Sequence, residues 1–164
     1  MAAQTYSFDI VSKVNRPELD NALNQARREI DNRFDFKGTG SRIESGKDGL
    51  TVFSSDEYHL KAMIEVIETR LTRRKVPLKA ISWKAIADGP KGTVKQEAAV
   101  LEGIDADRAR EITKYVKSIH KKMNVAVQKD QVRVSSKSKD LLQEAMSSVL
   151  EHDFGIPLQF TNYR

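Results

Sequence analysis

Residues 33–38 read Arg-Phe-Asp-Phe-Lys-Gly, with charged and aromatic side chains in strict alternation. Successive side chains of a β-strand point to opposite faces of the sheet. The alternation therefore predicts a strand in which Phe34 and Phe36 pack on the core and the charged residues form the other face. That charged face can bind an anion, or it can be an ordinary solvated surface.

The segments on either side of this stretch repeat one order of elements, β-α-β-β-α-β. Asn15 and Asp105 are typical helix N-caps, and residues 54–57 read Ser-Ser-Asp-Glu, as at the start of a helix. The predicted strands are 5–12, 41–44, 50–54, 78–84, 94–103, 123–128, 131–135 and 158–163, and the last helix is 139–150. Residues 52–55 superpose on 133–136. We therefore expect an α+β protein with two ferredoxin-like domains that arose by internal duplication.

Glycine and proline cluster in residues 88–92, between two periodic segments. Such a cluster is typical of a boundary. The expected division is a first unit at residues 1–88, a linker at 89–93 and a second unit at 94–164.

The composition restricts the class of protein. The chain has 164 residues, no cysteine and 39% hydrophobic residues, and it lacks an apolar run long enough to span a bilayer. We expect a soluble cytoplasmic protein without disulfides, cysteine-based metal sites or a membrane partner, and no motif calls for a cofactor. The formal net charge is +5, and residues 70–84 and 114–139 are strongly basic, which favours an anionic partner.

Nucleotide binding needs cations for phosphate and flat apolar surface for the base. Arg33 and Lys37 are the first candidates for phosphate, and Gly38 ends the same stretch. Asp35, and Asp9 in a strand expected to be adjacent, can bind ribose or a base edge. The alternative is that these four charges only pair with one another.

Two further groups are candidates in the second half. Lys95, Gln96 and Arg133 can line its sheet, or they can be ordinary exposed strand residues. The closing strand combines Phe160 with an amide and a cation, Asn162 and Arg164, although an aromatic in such a strand is usually core.

No motif for catalysis is present. The three histidines are far apart in sequence, and neither a phosphate loop nor a nucleophile elbow occurs. The prediction is a binding protein, not an enzyme. One alternative is a nucleotide hydrolase in which Asp9 or Asp35 holds Mg²⁺. Another is a protein-interaction module acting in transcription, whose basic helix at 105–122 meets an acidic partner.

Three segments resemble the YajQ family: residues 7–12 (SFDIVS), 32–38 (NRFDFKG) and 155–164 (GIPLQFTNYR). The resemblance implies two ferredoxin-like domains with possible exchange of their N-terminal strands, in a bacterial cytosolic nucleotide-binding protein. It further implies tRNA or purine nucleotides as ligands, and cyclic di-GMP in members that act on transcription. This sequence departs from the pattern at residues 135–136, where Ser-Ser replaces the common Thr-Gly, and it has no Asp after Arg164.

Overall fold

The computed structural model describes residues 4–164, which form a mixed α+β structure with four helices and two four-stranded antiparallel sheets. The strands are β1 (Tyr6–Val11), β2 (Arg42–Ser45), β3 (Gly49–Ser54), β4 (Ile81–Asp88), β5 (Val94–Val100), β6 (Asn124–Gln128), β7 (Gln131–Ser136) and β8 (Gln159–Thr161). The helices are α1 (Arg16–Asn32), α2 (Glu57–Arg73), α3 (Ala106–Ile119) and α4 (Lys139–Glu151). The predicted fold class, α+β, is confirmed.

Each helix begins at a residue whose side chain accepts a hydrogen bond from a backbone N–H of the first turn. The N-caps are Asn15, Asp56, Asp105 and Ser138. These side chains satisfy a donor that has no partner within the helix. The predicted caps Asn15 and Asp105 are therefore confirmed.

The first strand of each sequence half pairs with strands of the other half. One sheet has the order β6-β7-β1-β8 and the other has the order β2-β3-β5-β4. This is the exchange of first strands that the family resemblance implied. The two sheets match in order and in the placement of the exchanged strand, which is compatible with duplication; the ferredoxin-like assignment itself stays a prediction.

The compact units differ from the linear division at 1–88, 89–93 and 94–164. One unit contains residues 4–13 with Glu102–Arg164, and the other is Val14–Leu101. The reason is backbone pairing: β4 and β5 are antiparallel neighbours, joined by a short 3₁₀ turn at Pro90–Gly92. The glycine and proline cluster is thus a turn within one sheet.

The duplication also has a different register from the one predicted. In β3 the residues buried beneath the helices are Leu50, Val52 and Ser54, and in β7 they are Val132, Val134 and Ser136. These sets match at an offset one residue longer than the predicted superposition of 52–55 on 133–136. A slip of one residue exchanges the two faces of a strand, so burial decides between the registers.

Each sheet packs its helices on one face. In the unit Val14–Leu101 the core combines apolar side chains of α1 and α2 with those of β3, among them Leu23, Leu60, Met63, Ile67 and Val52. Across residues 4–164, none of the helices combines the length and the apolar character needed to cross a membrane.

Candidate functional site

The alternation of residues 33–38 predicted a strand. The stretch is instead a tight turn that follows the end of α1. Phe34–Phe36 is a 3₁₀ turn, closed by a hydrogen bond from the Lys37 N–H to the Phe34 carbonyl (3.1 Å). With three residues per turn, side chains two positions apart point in different directions. Phe36 is therefore buried at 5% exposure, whereas Phe34 is 84% exposed. The prediction that both phenylalanines are core is wrong for Phe34.

A chain of hydroxyl groups holds this turn on β3. The Thr39 hydroxyl donates to the Phe36 carbonyl (2.6 Å) and lies 2.5 Å from the Ser41 hydroxyl, which lies 2.9 Å from that of Ser54. Thr39 and Ser54 are buried. Gly38, which directly precedes Thr39, has φ +73°, a left-handed conformation that glycine adopts without strain. Gly38 thus lets the chain turn back, and the Thr39 hydroxyl anchors the turn through a buried hydrogen bond to the Phe36 carbonyl.

Of the four charges that the alternative interpretation expected to pair with one another, Arg33 and Asp35 do so. Arg33 donates from Nε and Nη2 to the two carboxylate oxygens of Asp35 (3.1 and 2.7 Å), and its Nη1 lies 3.7 Å from a Glu29 oxygen. The hydrogen bond from Arg33 lowers the pKa of Asp35. Lys37 differs, because its Nζ lies 5.6 Å from the Phe34 ring centre, so a cation accompanies the exposed aromatic.

A groove of about 400 Å³ lies beside the turn, between α1 and α2. Arginine and polar side chains line it: Gln25, Arg28, Glu29, Asn32, Arg33 and Arg70. Arg70 donates to Glu29 (2.7 Å), while Arg28 is exposed and forms no ion pair with any residue in the range 4–164. Three guanidinium groups therefore line the groove, two of them paired with the carboxylates Glu29 and Asp35, and the charge of Arg28 leaves the groove positive on balance.

Asp9 was predicted to lie in a strand next to Arg33 and Lys37. It belongs instead to the other compact unit. It is 1% exposed in β1, opposite Arg133 of β7. Arg133 donates to its two oxygens (2.8 and 3.2 Å), and Asn162 donates to one of them (2.8 Å). The hydrogen bond from Arg133 is the main reason that the pKa of Asp9 is lowered, against the effect of burial. Asp9 is thus a buried anchor with both oxygens occupied.

Stability should depend on pH through Asp9. Its folded pKa lies below the ordinary value of 3.8, so the stabilisation is complete above that value and is lost as the pH falls through it toward the folded pKa. Urea unfolding of the wild type and of Asp9→Ala is expected to give a constant difference at neutral pH that shrinks below 3.8. A difference that grows in acid would contradict this sign.

The second-half candidates are not brought together. β5 belongs to the sheet of β3 and β4, so Lys95 and Gln96 lie in a different sheet from Arg133. They are also neighbours in one strand and face opposite sides. The Lys95 Nζ lies 3.8 Å from Glu97, and the Gln96 amide donates to the Lys84 carbonyl (2.7 Å). Both therefore take part in contacts within their own sheet.

The three candidates of the closing strand, Phe160, Asn162 and Arg164, each make a different kind of contact. Phe160 packs edge-on against Phe8 with ring centres 5.2 Å apart, in accord with the core alternative. Asn162 binds Asp9, and the backbone of Arg164 pairs with Ser7. Among the described residues, no group of three or more histidine, aspartate or glutamate side chains could hold a metal ion.

Two arginines of the groove, Arg28 and Arg70, were not among the site residues predicted from the sequence. Gln25, Arg28 and Asn32 recur on α1 at spacings of three and four, which places them on one helix face. That spacing could have identified Arg28. Arg70 stood out only as part of a basic segment, because its approach to α1 depends on how the two helices pack.

Comparison with known proteins gives the family. The sequence model described as nucleotide-binding protein YajQ-like matches residues 6–164. A protein of Koribacter versatilis named as a nucleotide-binding protein is 45% identical over 158 residues, covering 96% of each chain. Proteins with the same description from Chloroherpeton thalassium and Bacillus cereus are 42% and 43% identical, each over 99% of both chains. The chain therefore belongs to the YajQ-like family of nucleotide-binding proteins.

Proposed function

We propose that this chain binds a purine nucleotide at the end of α1, in a site formed by Arg28, Arg33, Phe34, Lys37 and Arg70, which we call the turn site. The observation that carries the proposal is an aromatic ring that is 84% exposed, beside a lysine and an arginine-lined groove. Exposing a phenylalanine this fully has no benefit for folding. A ring with cations beside it matches a base and its phosphates.

The contacts suggest how the parts of a nucleotide would be divided. The groove can take the phosphates, because guanidinium groups bind phosphate through paired N–H donors. The base would stack on Phe34 with Lys37 at the edge of the ring. Arg33 would exchange its partner Asp35 for phosphate, which frees the Asp35 carboxylate to accept from ribose or a base edge.

The relatives support the nucleotide as the ligand class, since their names describe them as nucleotide-binding proteins. We further propose a cytoplasmic regulatory role without turnover. In the magnesium alternative Asp9 would have to release Arg133 and Asn162, and Asp35 would have to release Arg33, before either could bind the ion. Magnesium-dependent release of phosphate from GTP or ATP by the purified protein would favour that alternative instead.

Calorimetric titration tests the ligand class. GTP, ATP, cyclic di-GMP and tRNA would each be titrated into the wild-type protein at low and high salt. Affinity for a polynucleotide falls steeply with salt because phosphate contacts release counterions, whereas a small ligand gives a shallow slope. We expect saturable binding of a purine nucleotide with a shallow slope. Binding of tRNA alone, with a steep slope, would contradict the proposal.

The double change Arg33→Ala with Lys37→Ala is expected to weaken nucleotide binding by about 100-fold, since it removes two charge-assisted contacts to the ligand. Thermal stability should be almost unchanged, because Lys37 is exposed and Arg33 is only half-buried. The measurement is the dissociation constant from the same calorimetric titration, together with a thermal melt.

The matched control is Lys114→Ala with Lys117→Ala, which removes the same charge from exposed positions of α3 in the other compact unit. It is expected to bind the nucleotide like the wild type. Equal loss in both double variants would mean that only the net charge matters, and full binding by the Arg33 and Lys37 variant would refute the turn site.

A second candidate function is suggested by α3. Lys114 and Lys117 lie one helical turn apart on α3, and Lys121 follows in the turn after the helix ends at Ile119. All three are exposed and form no ion pair within the described part of the chain. A row of uncompensated cations suits an acidic partner, such as a protein that regulates transcription. The control variant of α3 tests this as well: it should lose the partner while it keeps the nucleotide.

A further inference from the structure

A second pair of cations lies on the sheet of the other unit, on either side of β1. Asp9 stands opposite Arg133 of β7, and Ser7 stands opposite Ser135. On the other edge, Ser7 exchanges two backbone hydrogen bonds with Arg164 (3.1 and 3.0 Å). Side chains of opposed residues share a face, as do residues two apart in one strand. Arg133 and Arg164 therefore lie on the same face, with the short side chain of Ser7 between their strands.

A bulge after β8 produces this placement. Thr161 stands opposite Asp9 and Arg164 opposite Ser7, so three steps along one chain match two along the other. The extra residue is accommodated at Asn162, which has φ +53°. Asparagine tolerates this conformation better than most residues. Without the extra residue, Arg164 would point to the opposite face, which is packed with helices.

The charges on this face are only partly compensated. Asp9 occupies Nε and Nη2 of Arg133 and leaves Nη1 without a partner among residues 4–164. The side chain of Arg133 is 35% exposed, and Arg164 is exposed. The positive charge of Arg164 contributes to the lowered pKa of Asp9, in accord with its position near the pair. Asp9 thus binds the Arg133 guanidinium directly, while the Arg164 guanidinium acts on it through its charge.

We propose that Arg133 and Arg164 bind a phosphate group of a phosphomonoester or pyrophosphate over Ser7, at a site separate from the turn site. Guanidinium groups from two strands can approach one phosphate from both sides. The hydroxyls of Ser7 and Ser135 are short donors that leave room for the anion. Asp9 is a positioning residue, since it fixes the plane of the Arg133 guanidinium through two hydrogen bonds.

The test is calorimetric titration of the full chain with inorganic pyrophosphate. Arg164→Gln is expected to weaken binding at least about tenfold, because it removes one charged donor pair and leaves Asp9 and Arg133 paired. The matched control Arg110→Gln changes an exposed arginine of the same unit and should bind like the wild type. Arg133→Lys keeps one donor near Asp9 but loses the fork, so it should weaken binding while a thermal melt verifies folding.

The variant Arg33→Ala with Lys37→Ala separates this site from the turn site. It should retain pyrophosphate binding at the β1 site even though its affinity for the nucleotide is reduced. The proposal is overturned if wild-type protein does not bind pyrophosphate, if Arg164→Gln binds it like the wild type, or if Arg33→Ala with Lys37→Ala abolishes the binding. The first two outcomes leave the turn site intact, so the two proposals fail independently.

Discussion

Replacement of Asp9 by alanine is expected to lower the free energy of unfolding by about 3 kcal/mol. Asp9 is 1% exposed and receives three hydrogen bonds, two from Arg133 and one from Asn162. Removing one partner of a buried ion pair leaves the other donors uncompensated, which typically costs 3–5 kcal/mol. We expect the lower end of this range because Arg133 is 35% exposed and can turn toward water.

Urea unfolding at neutral pH measures this loss. The control is Asp107→Ala, whose side chain is exposed and forms its ion pair with Arg110 on the surface of α3. Exposed pairs of this kind contribute little to stability, so this variant should unfold like the wild type. If Asp9→Ala were as stable as Asp107→Ala, the network at β1 would not be an anchor of its sheet.

Phe36→Ala is expected to lower the free energy of unfolding by about 3 kcal/mol, whereas Phe34→Ala should leave it unchanged. Phe36 is buried in the core of its unit and packs edge-on near His59, with ring centres 6.3 Å apart. Its removal leaves a cavity whose lining loses contacts. Phe34 is 84% exposed and has no such contacts to lose.

The two variants form a matched pair, since the same substitution is made two residues apart. Chemical unfolding compares their stability, and nucleotide titration compares their binding. Phe34→Ala should keep the stability and lose affinity for the base, because a stacking ring contributes about 1–3 kcal/mol to single-strand binding. Equal destabilisation by both changes would support the strand that the alternation predicted and would contradict the 3₁₀ turn.

Much of the local structure could be predicted from the sequence because short-range chemistry specifies it. Asn15 and Asp105 lie before helical periodicity, and each accepts a backbone hydrogen bond at the expected position. The order of helices and strands followed from the change between the two hydrophobic periods. The prediction for residues 33–38 was wrong for a related reason: their alternation fits a strand, but the buried hydroxyl of Thr39 bonds to the Phe36 carbonyl and closes a turn instead.

The sequence likewise predicted individual residues of the candidate site but not the contacts between distant segments. The sequence identified Arg33 and Lys37 as cations in an unusual stretch, and Asp9 as a carboxylate near the start of the chain. It could not indicate that Asp9 pairs with Arg133, 124 residues away, or that Arg70 reaches Glu29 across two helices. Those contacts depend on which strands and helices become neighbours.

By itself, the sequence determined the α+β class, the helix caps, the family resemblance and part of the charged residues on which the proposals rest, namely Arg33, Lys37, Arg133 and Arg164. Only the tertiary structure decided that β1 and β5 exchange sheets, that Phe34 is exposed, and that Asp9 and Arg33 belong to different units. The physical reason is that caps and periodicity act within a few residues. Strand partners are instead selected by burial and backbone hydrogen bonds between distant segments, which no local pattern records.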